Sequence, residues 1–463
     1  MVHSMIRRFQ HAPSCKRFQE SSVPDPVTTA LAERVPQRRR VLGALGGALA
    51  AGSLSAAARA AGPASGVAMS GGSIDVAAYP ALDQILRDAR PRWQTVSPGT
   101  DIRLVAREFG DHHSALTAAM AARKGLPDLM AVEFGFLARF AASGALADLS
   151  AMPGFAELGP RIVPYALAQC RLAGGVYALP VDIGPGVSFI RTDLLEKARI
   201  SETQMLSSWE AFVDAGRAMR AGNGPYLLAH ARDLKDAIIR SGIRAGDGIY
   251  FDAAGHSQLG SERFRLAFRL AREVRRSDLD ARVGAWSNDW AEALRRGRIA
   301  ALLMGAWFGG HLANWLAPGT AGRWRSGELP GGARASWGGS FYAIAAHSPR
   351  RDKAWSLLRL LAGDSALQIE AFRRHDAFPA LASAHEDPFF DEALPFFGGQ
   401  RVRQLWREIA RAIPPVAVHR LDPLAEEIVN AELDRVLLRG KDPDRALDDA
   451  ARVLDRRAQR VRA

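Results

Sequence analysis

Cysteine is almost missing from this chain: Cys15 and Cys170 are the only two in 463 residues. That excludes a disulfide framework and a thiolate-held iron–sulfur cluster. Lysine is scarce as well, six against 55 arginines. The arginines are spread along the whole chain, so the net charge of +12 reads as compositional bias. Nucleic-acid binding would need a clustered basic stripe interleaved with stacking aromatics, and none is seen. The excess is also uneven, because residues 1–60 hold nine basic against three acidic side chains, or +6, leaving +6 for the rest. No Gly-x-Gly-x-x-Gly stands between a strand and a helix, and there are no internal repeats or coiled-coil heptads. His112 and His113 are adjacent, which puts them on different faces and suggests surface or capping roles rather than a metal pair. GHSQL at Gly255–Leu259 has leucine where a nucleophile elbow needs its second glycine. No cofactor and no metal are expected.

What is present belongs to a folded protein, with 48% hydrophobic and 24% charged residues. The length exceeds what one core usually supports, so two lobes are expected. Arg38 and Arg39 precede an apolar run from Val41 to about Leu54, and Ala58, Arg59 and Ala60 supply a small-x-small cleavage pattern. The run falls short of the ~20 residues that span a bilayer. Residues 1–60 therefore read as a signal peptide of the twin-arginine type. Its removal takes Cys15 with it and leaves a soluble periplasmic protein with one thiol.

Strand and helix alternate after Gly72. Strands are predicted at Ser73–Tyr79, Asp101–Ala106 and Leu126–Val132, with helices at Pro80–Trp93, Ser114–Arg123 and Leu137–Ala145 between and after them. Such alternation predicts a parallel sheet covered on both faces. The most informative stretch is GVYALPVDIGPGVSFIRTDLLEKARI at Gly175–Ile200. Its Pro180, Asp182, Gly184, Pro185 and Gly186 interrupt a strand-like run, which marks a bend close to a cleft. A new strand is expected at Val187–Ile190, and Thr192 or Asp193 is expected to cap the helix that follows. Ser208 should cap another.

These blocks resemble, in order, those of the extracellular solute-binding proteins of ABC importers, family 1, the maltose- and oligosaccharide-binding group. The resemblance covers KGLPDLMAVEF at Lys124–Phe134, the Gly175–Ile200 hinge, SWEAFVDAGRAM at Ser208–Met219 and RRGRIAALLMGAWFGG at Arg295–Gly310. WGGSFYAIAAHSPRRDKAWSLLRLLAG at Trp337–Gly363 and LDRVLLRGKDPDRALDDAARVL at Leu433–Leu454 complete it. It implies an α/β, two-lobed periplasmic-binding-protein fold of type II, with the ligand cleft between lobes joined by crossing strands. Residues 61–180 and 338–380 would form lobe one; residues 181–337 and 381–463 would form lobe two. The implied role is to capture a small solute, most simply a sugar or oligosaccharide, by lobe closure and to pass it as a monomer to membrane permease subunits, without catalysis.

A sugar offers C–H patches for aromatic rings and hydroxyls that need paired acceptors and donors. The candidates lie at strand ends: Glu133, Phe134, Asp182, Trp307, Trp337, Gly338 and Gly339, with Tyr79 and Asp111 at the edge of the set. For Trp307, core packing and ligand stacking are equally open. Gly338 and Gly339 could simply let the backbone turn. Two other readings compete: an exported glycoside hydrolase with paired carboxylates, and a binder of a sugar phosphate or polyol.

Overall fold

The alternating SIDVAA of Ser73–Ala78 (β1) pairs in parallel with Asp101–Ala106 (β2), Ser73 opposite Asp101 and Ala78 opposite Ala106. Between them Leu82–Val96 (α1) turns Leu82, Ile85, Leu86, Ala89 and Trp93 inward, the stripe its 3.6-residue period dictates. Phe109–Ala122 (α2) precedes Leu129–Glu133 (β3), and Phe134–Ala142 (α3) follows directly. The computed structural model describes residues 72–462, so the proposed leader over 1–60 lies outside the described residues. Among the described residues, no helix is long and apolar enough to cross a membrane.

The hinge segment is one strand, Leu179–Arg191 (β4), rather than a bend followed by a new strand. Thr192–Ala198 (α4), Trp209–Arg220 (α5), Ala231–Ile239 (α6), Glu262–Arg276 (α7) and Asn288–Arg295 (α8) lead on to three more strands. These are Ala301–Gly305 (β5), Trp324–Gly327 (β6) and Ser336–Ile344 (β7). Arg351–Gly363 (α9), Ser365–His375 (α10), Val402–Ala412 (α11), Asp422–Arg439 (α12) and Pro443–Arg462 (α13) follow. Strand order is β2-β1-β3-β7-β4-β5, with β6 also on β4. From Leu179 to Pro185, β4 pairs with β7; from Gly186 onward it pairs with β5 and β6. One strand thus belongs to two sheets, and its midpoint is where the lobes join.

The sheet is mixed, which corrects the all-parallel expectation. β7 runs antiparallel to both β3 and β4, because it returns from the second lobe instead of closing a strand–helix–strand unit. Pro180 and Pro185 are tolerated inside β4 because register shifts fall beside them, where a missing N–H removes no ladder bond. The cap expected at Thr192 or Asp193 is also absent. α4 begins at Thr192, and Arg191 holds the Asp193 carboxylate with two hydrogen bonds of 2.8 and 2.7 Å. Ser208 does cap α5, accepting from Ala211 N at 3.0 Å.

Alternate residues of β3 enter different cores: Leu129 and Ala131 one, Met130 and Val132 another. On β4, Val181, Ile183, Val187 and Phe189 all join the first of these, which runs unbroken past the junction. Ile190, with α5, α6, α7 and α12, builds a third core in the second lobe. One face of the junction is therefore continuous, whereas the two opposite faces are separate bodies. Phe134 packs against both of those bodies.

Candidate functional site

The site starts from a bulge. β7 pairs Gly339 with Ile183 and Ser336 with Pro185, so Trp337 and Gly338 stand opposite the single residue Gly184. Gly338 at φ +76° and Gly339 at φ +132° supply conformations that other residues rarely adopt. The bulge turns the Trp337 carbonyl toward Trp307, whose Nε1 donates to it at 3.1 Å. Gly184 and Gly305 leave room for this: a Cβ on Gly184 would lie 1.8 Å from the Trp337 oxygen, and one on Gly305 2.2 Å from Trp307 Nε1. Three strands therefore converge on one indole N–H.

Glu133 ends β3 and caps α3, its Oε2 accepting from Gly135 N at 2.7 Å. Asp182 accepts from Ser340 N at 2.8 Å, tying β4 to β7. Phe134 and Gly135, with Arg240, Tyr250, Asp422 and Glu426 of the other lobe, line a cavity of about 30 Å³. Here α3 packs on α12. Arg240 lies 3.8 Å from Glu426 and 5.5 Å from the Trp337 ring centroid. Arg240 Nε, the Tyr250 hydroxyl and Asp422 Oδ1 are buried without hydrogen-bond partners. Buried polar atoms are seldom left so, and these three gather around one cavity. A larger hollow of about 460 Å³, lined by Arg244, Asp247, Asp252 and Arg263, gathers none of the predicted residues.

Tyr79 is buried one residue past β1, edge-on to Phe109 at 5.3 Å. Asp111 is exposed in the first turn of α2. His112 and His113 are both buried, which corrects the surface or capping role. His112 Nε2 bonds Ala131 O at 2.7 Å, while His113 Nε2 accepts from Glu133 N at 3.1 Å. Among the described residues no cluster of three metal-ligating side chains occurs. Arg240, Tyr250, Asp422 and Glu426 went unpredicted. Their only local signal was the Asp422–Pro423 helix start.

Burial dominates the electrostatics. Desolvation pushes Glu133 up to about 7, against the Gly135 hydrogen bond and the Arg240 charge. It pushes Asp182 up to about 6 despite the Ser340 hydrogen bonds, and Asp422 up to about 7. Between the ordinary carboxylate range and these values the folded state binds more protons than the unfolded chain. The stability these three groups contribute is fullest below the ordinary carboxylate range and falls as pH rises toward 7. Glu133→Gln should flatten that decline by on the order of 1 to 3 kcal/mol, read from melting temperatures between pH 5 and 7.5. An unchanged slope would place the Glu133 carboxyl in water.

Two lobes, strands that cross between them and a site at the crossing define a binding protein of the periplasmic type. The model of the bacterial extracellular solute-binding proteins matches residues 75–368, and the chain belongs to that family. It is 27% identical to the lactose-binding protein of Rhizobium radiobacter over 72% of this chain and 80% of that one. It is 24% identical to the arabinooligosaccharide-binding protein of Bacillus subtilis strain 168 over 78% and 86%. The solved structure of the sugar-binding protein MalE from Xanthomonas citri aligns with a TM-score of 0.69 at 20% identity, covering 84% and 98%.

Proposed function

We propose that this chain is the carbohydrate-binding component of an ABC importer, taking a neutral sugar or short oligosaccharide between its lobes and releasing it unchanged to a permease. The observation that carries the reading is Trp307. Its N–H is consumed by the Trp337 carbonyl at the strand crossing, and its ring remains partly exposed beside glycine backbone. A fixed, partly exposed aromatic ring at a strand crossing is what stacking on a sugar requires. Glu133, Phe134, Asp182, Trp337, Gly338 and Gly339 belong to the same cleft in this reading, joined by Arg240 and Asp422, with Tyr79 and Asp111 at its edge. Glu133, Asp422 and Glu426 around Arg240 disfavour a phosphorylated ligand by like-charge repulsion.

The cavity of about 30 Å³ is large enough for a water molecule and too small for a sugar. Ligand entry therefore requires the lobes, 61–180 with 338–380 against 181–337 with 381–463, to part. Contacts from both sides then favour the closed state by the difference in affinity. The protein acts as a periplasmic monomer after twin-arginine export. Trp307→Ala should weaken binding of lactose or an arabino-oligosaccharide by about 1 to 3 kcal/mol in calorimetry. An unchanged affinity in a folded variant would take the ring out of the site. Chromatography of the recovered ligand separates carrier from enzyme: hydrolysed sugar would contradict the proposal.

A further inference from the structure

Next to Trp307 lies an aromatic surface that the site described above does not use. Trp286 and Trp315 are 52% and 56% exposed, unusual for indoles. Trp286 is nearly parallel to Trp307, 9° between planes and 6.2 Å between centroids, and Trp315 lies 24° and 6.5 Å from Trp286. His311 stands perpendicular to all three, at 5.6 to 5.8 Å from each centroid. Its Nδ1 accepts from Trp315 Nε1 at 2.9 Å, which fixes the outer ring in place.

The backbone is committed to this arrangement too. Trp286 is held at φ +70°, a conformation a bulky residue avoids unless its surroundings impose it. Trp315 rides on a single π-helical turn, Leu312–Leu316, a deformation frequent at functional sites. Polar groups lie on the same helical segment as Trp315: Asn314 Nδ2, one residue before it, donates to Asp376 Oδ2 at 3.3 Å, and Gly310 lacks the Cβ that would collide with that carboxylate. Near-parallel exposed indoles beside a carboxylate and an amide match the alternating apolar and hydroxyl faces of a pyranose or furanose chain.

We propose that Trp286 and Trp315 form a second stacking subsite continuous with Trp307, so that the ligand is an oligosaccharide whose outer rings lie on these two indoles. This rests on the carbohydrate reading above. It commits to sugar rather than a protein partner because the surface continues directly from the cleft tryptophan and carries hydroxyl-binding groups.

The test is calorimetry on the full chain with graded series, lactose with its tri- and tetrasaccharide extensions, and arabinobiose through arabinotetraose. Wild-type affinity should rise roughly 3- to 10-fold from disaccharide to tetrasaccharide in the series that binds. In Trp286→Ala/Trp315→Ala that ratio should collapse toward one, whereas Trp307→Ala should weaken every length and preserve the ratio. Circular dichroism checks folding, and Trp315→Phe, which keeps a ring, should restore part of the gain. If a disaccharide binds but length brings no gain, or the gain survives the double substitution, the subsite is refuted and the carbohydrate reading stands. If no series binds, both fall together.

Discussion

Gly184→Ala should destabilise the fold by about 3 kcal/mol or more, near the upper end of overpacking costs. The added methyl would meet the Trp337 carbonyl at 1.8 Å; the carbonyl is backbone and a methyl has no rotamer to change, so nothing but a backbone shift relieves the clash. β4 and β7 would have to separate where the lobes join. That separation would also pull the carbonyl from Trp307 Nε1, leaving the N–H without its partner and the ring free to turn. Chemical denaturation should therefore report a large loss, accompanied by weaker ligand binding in whatever fraction stays folded. Gly338→Ala, whose nearest neighbour would be Trp307 Nε1 at 3.6 Å, carries only the strain of its positive φ and should cost less. Equal, small effects at both positions would mean that the strands do not approach as described.

Arg240→Met should weaken ligand binding by about 3 kcal/mol, roughly a hundredfold. Arg240 is the cation nearest Glu426 in the cavity wall, lies against the Trp337 ring and acts on Glu133 across the lobe boundary. Methionine fills much of the same space, so packing is largely kept while the charge is lost. Glu426 already raises the cost of ionising Glu133, and without the arginine the two would face each other uncompensated on closure. Because that repulsion requires both carboxylates, affinity in Arg240→Met should partly recover as pH falls from 7.5 toward 5. Binding that is insensitive to both the substitution and pH would show that Arg240 takes no part in closure.

The strand ends were legible because their chemistry is local. Apolar β3 ends in Glu133 and Phe134, β5 ends in Gly305 before Trp307, and Trp337–Gly339 opens β7, each within a few residues of a recognisable run. The hinge was legible as a disturbance but misread as a break. Proline and glycine placed at register shifts let one strand change partners without stopping, which depends on β7, more than 150 residues away. Arg240 was invisible for a different reason: among 55 arginines, one at a helix end has no contrast, and its meaning comes from Glu426 and Glu133 on other elements. The buried histidines were missed because their partners, the Ala131 carbonyl and the Glu133 N–H, are backbone groups of a neighbouring strand. The antiparallel return of β7 likewise belongs to topology rather than to any residue pattern.

Small-angle X-ray scattering of the protein titrated with a sugar that raises its melting temperature tests capture between the lobes most directly. The radius of gyration should shrink as the sugar saturates at one per chain, and Arg240→Met should shift that contraction to higher sugar concentration. Saturable binding with scattering curves that superimpose throughout would contradict the account, since the guest would then sit on a body that never had to open.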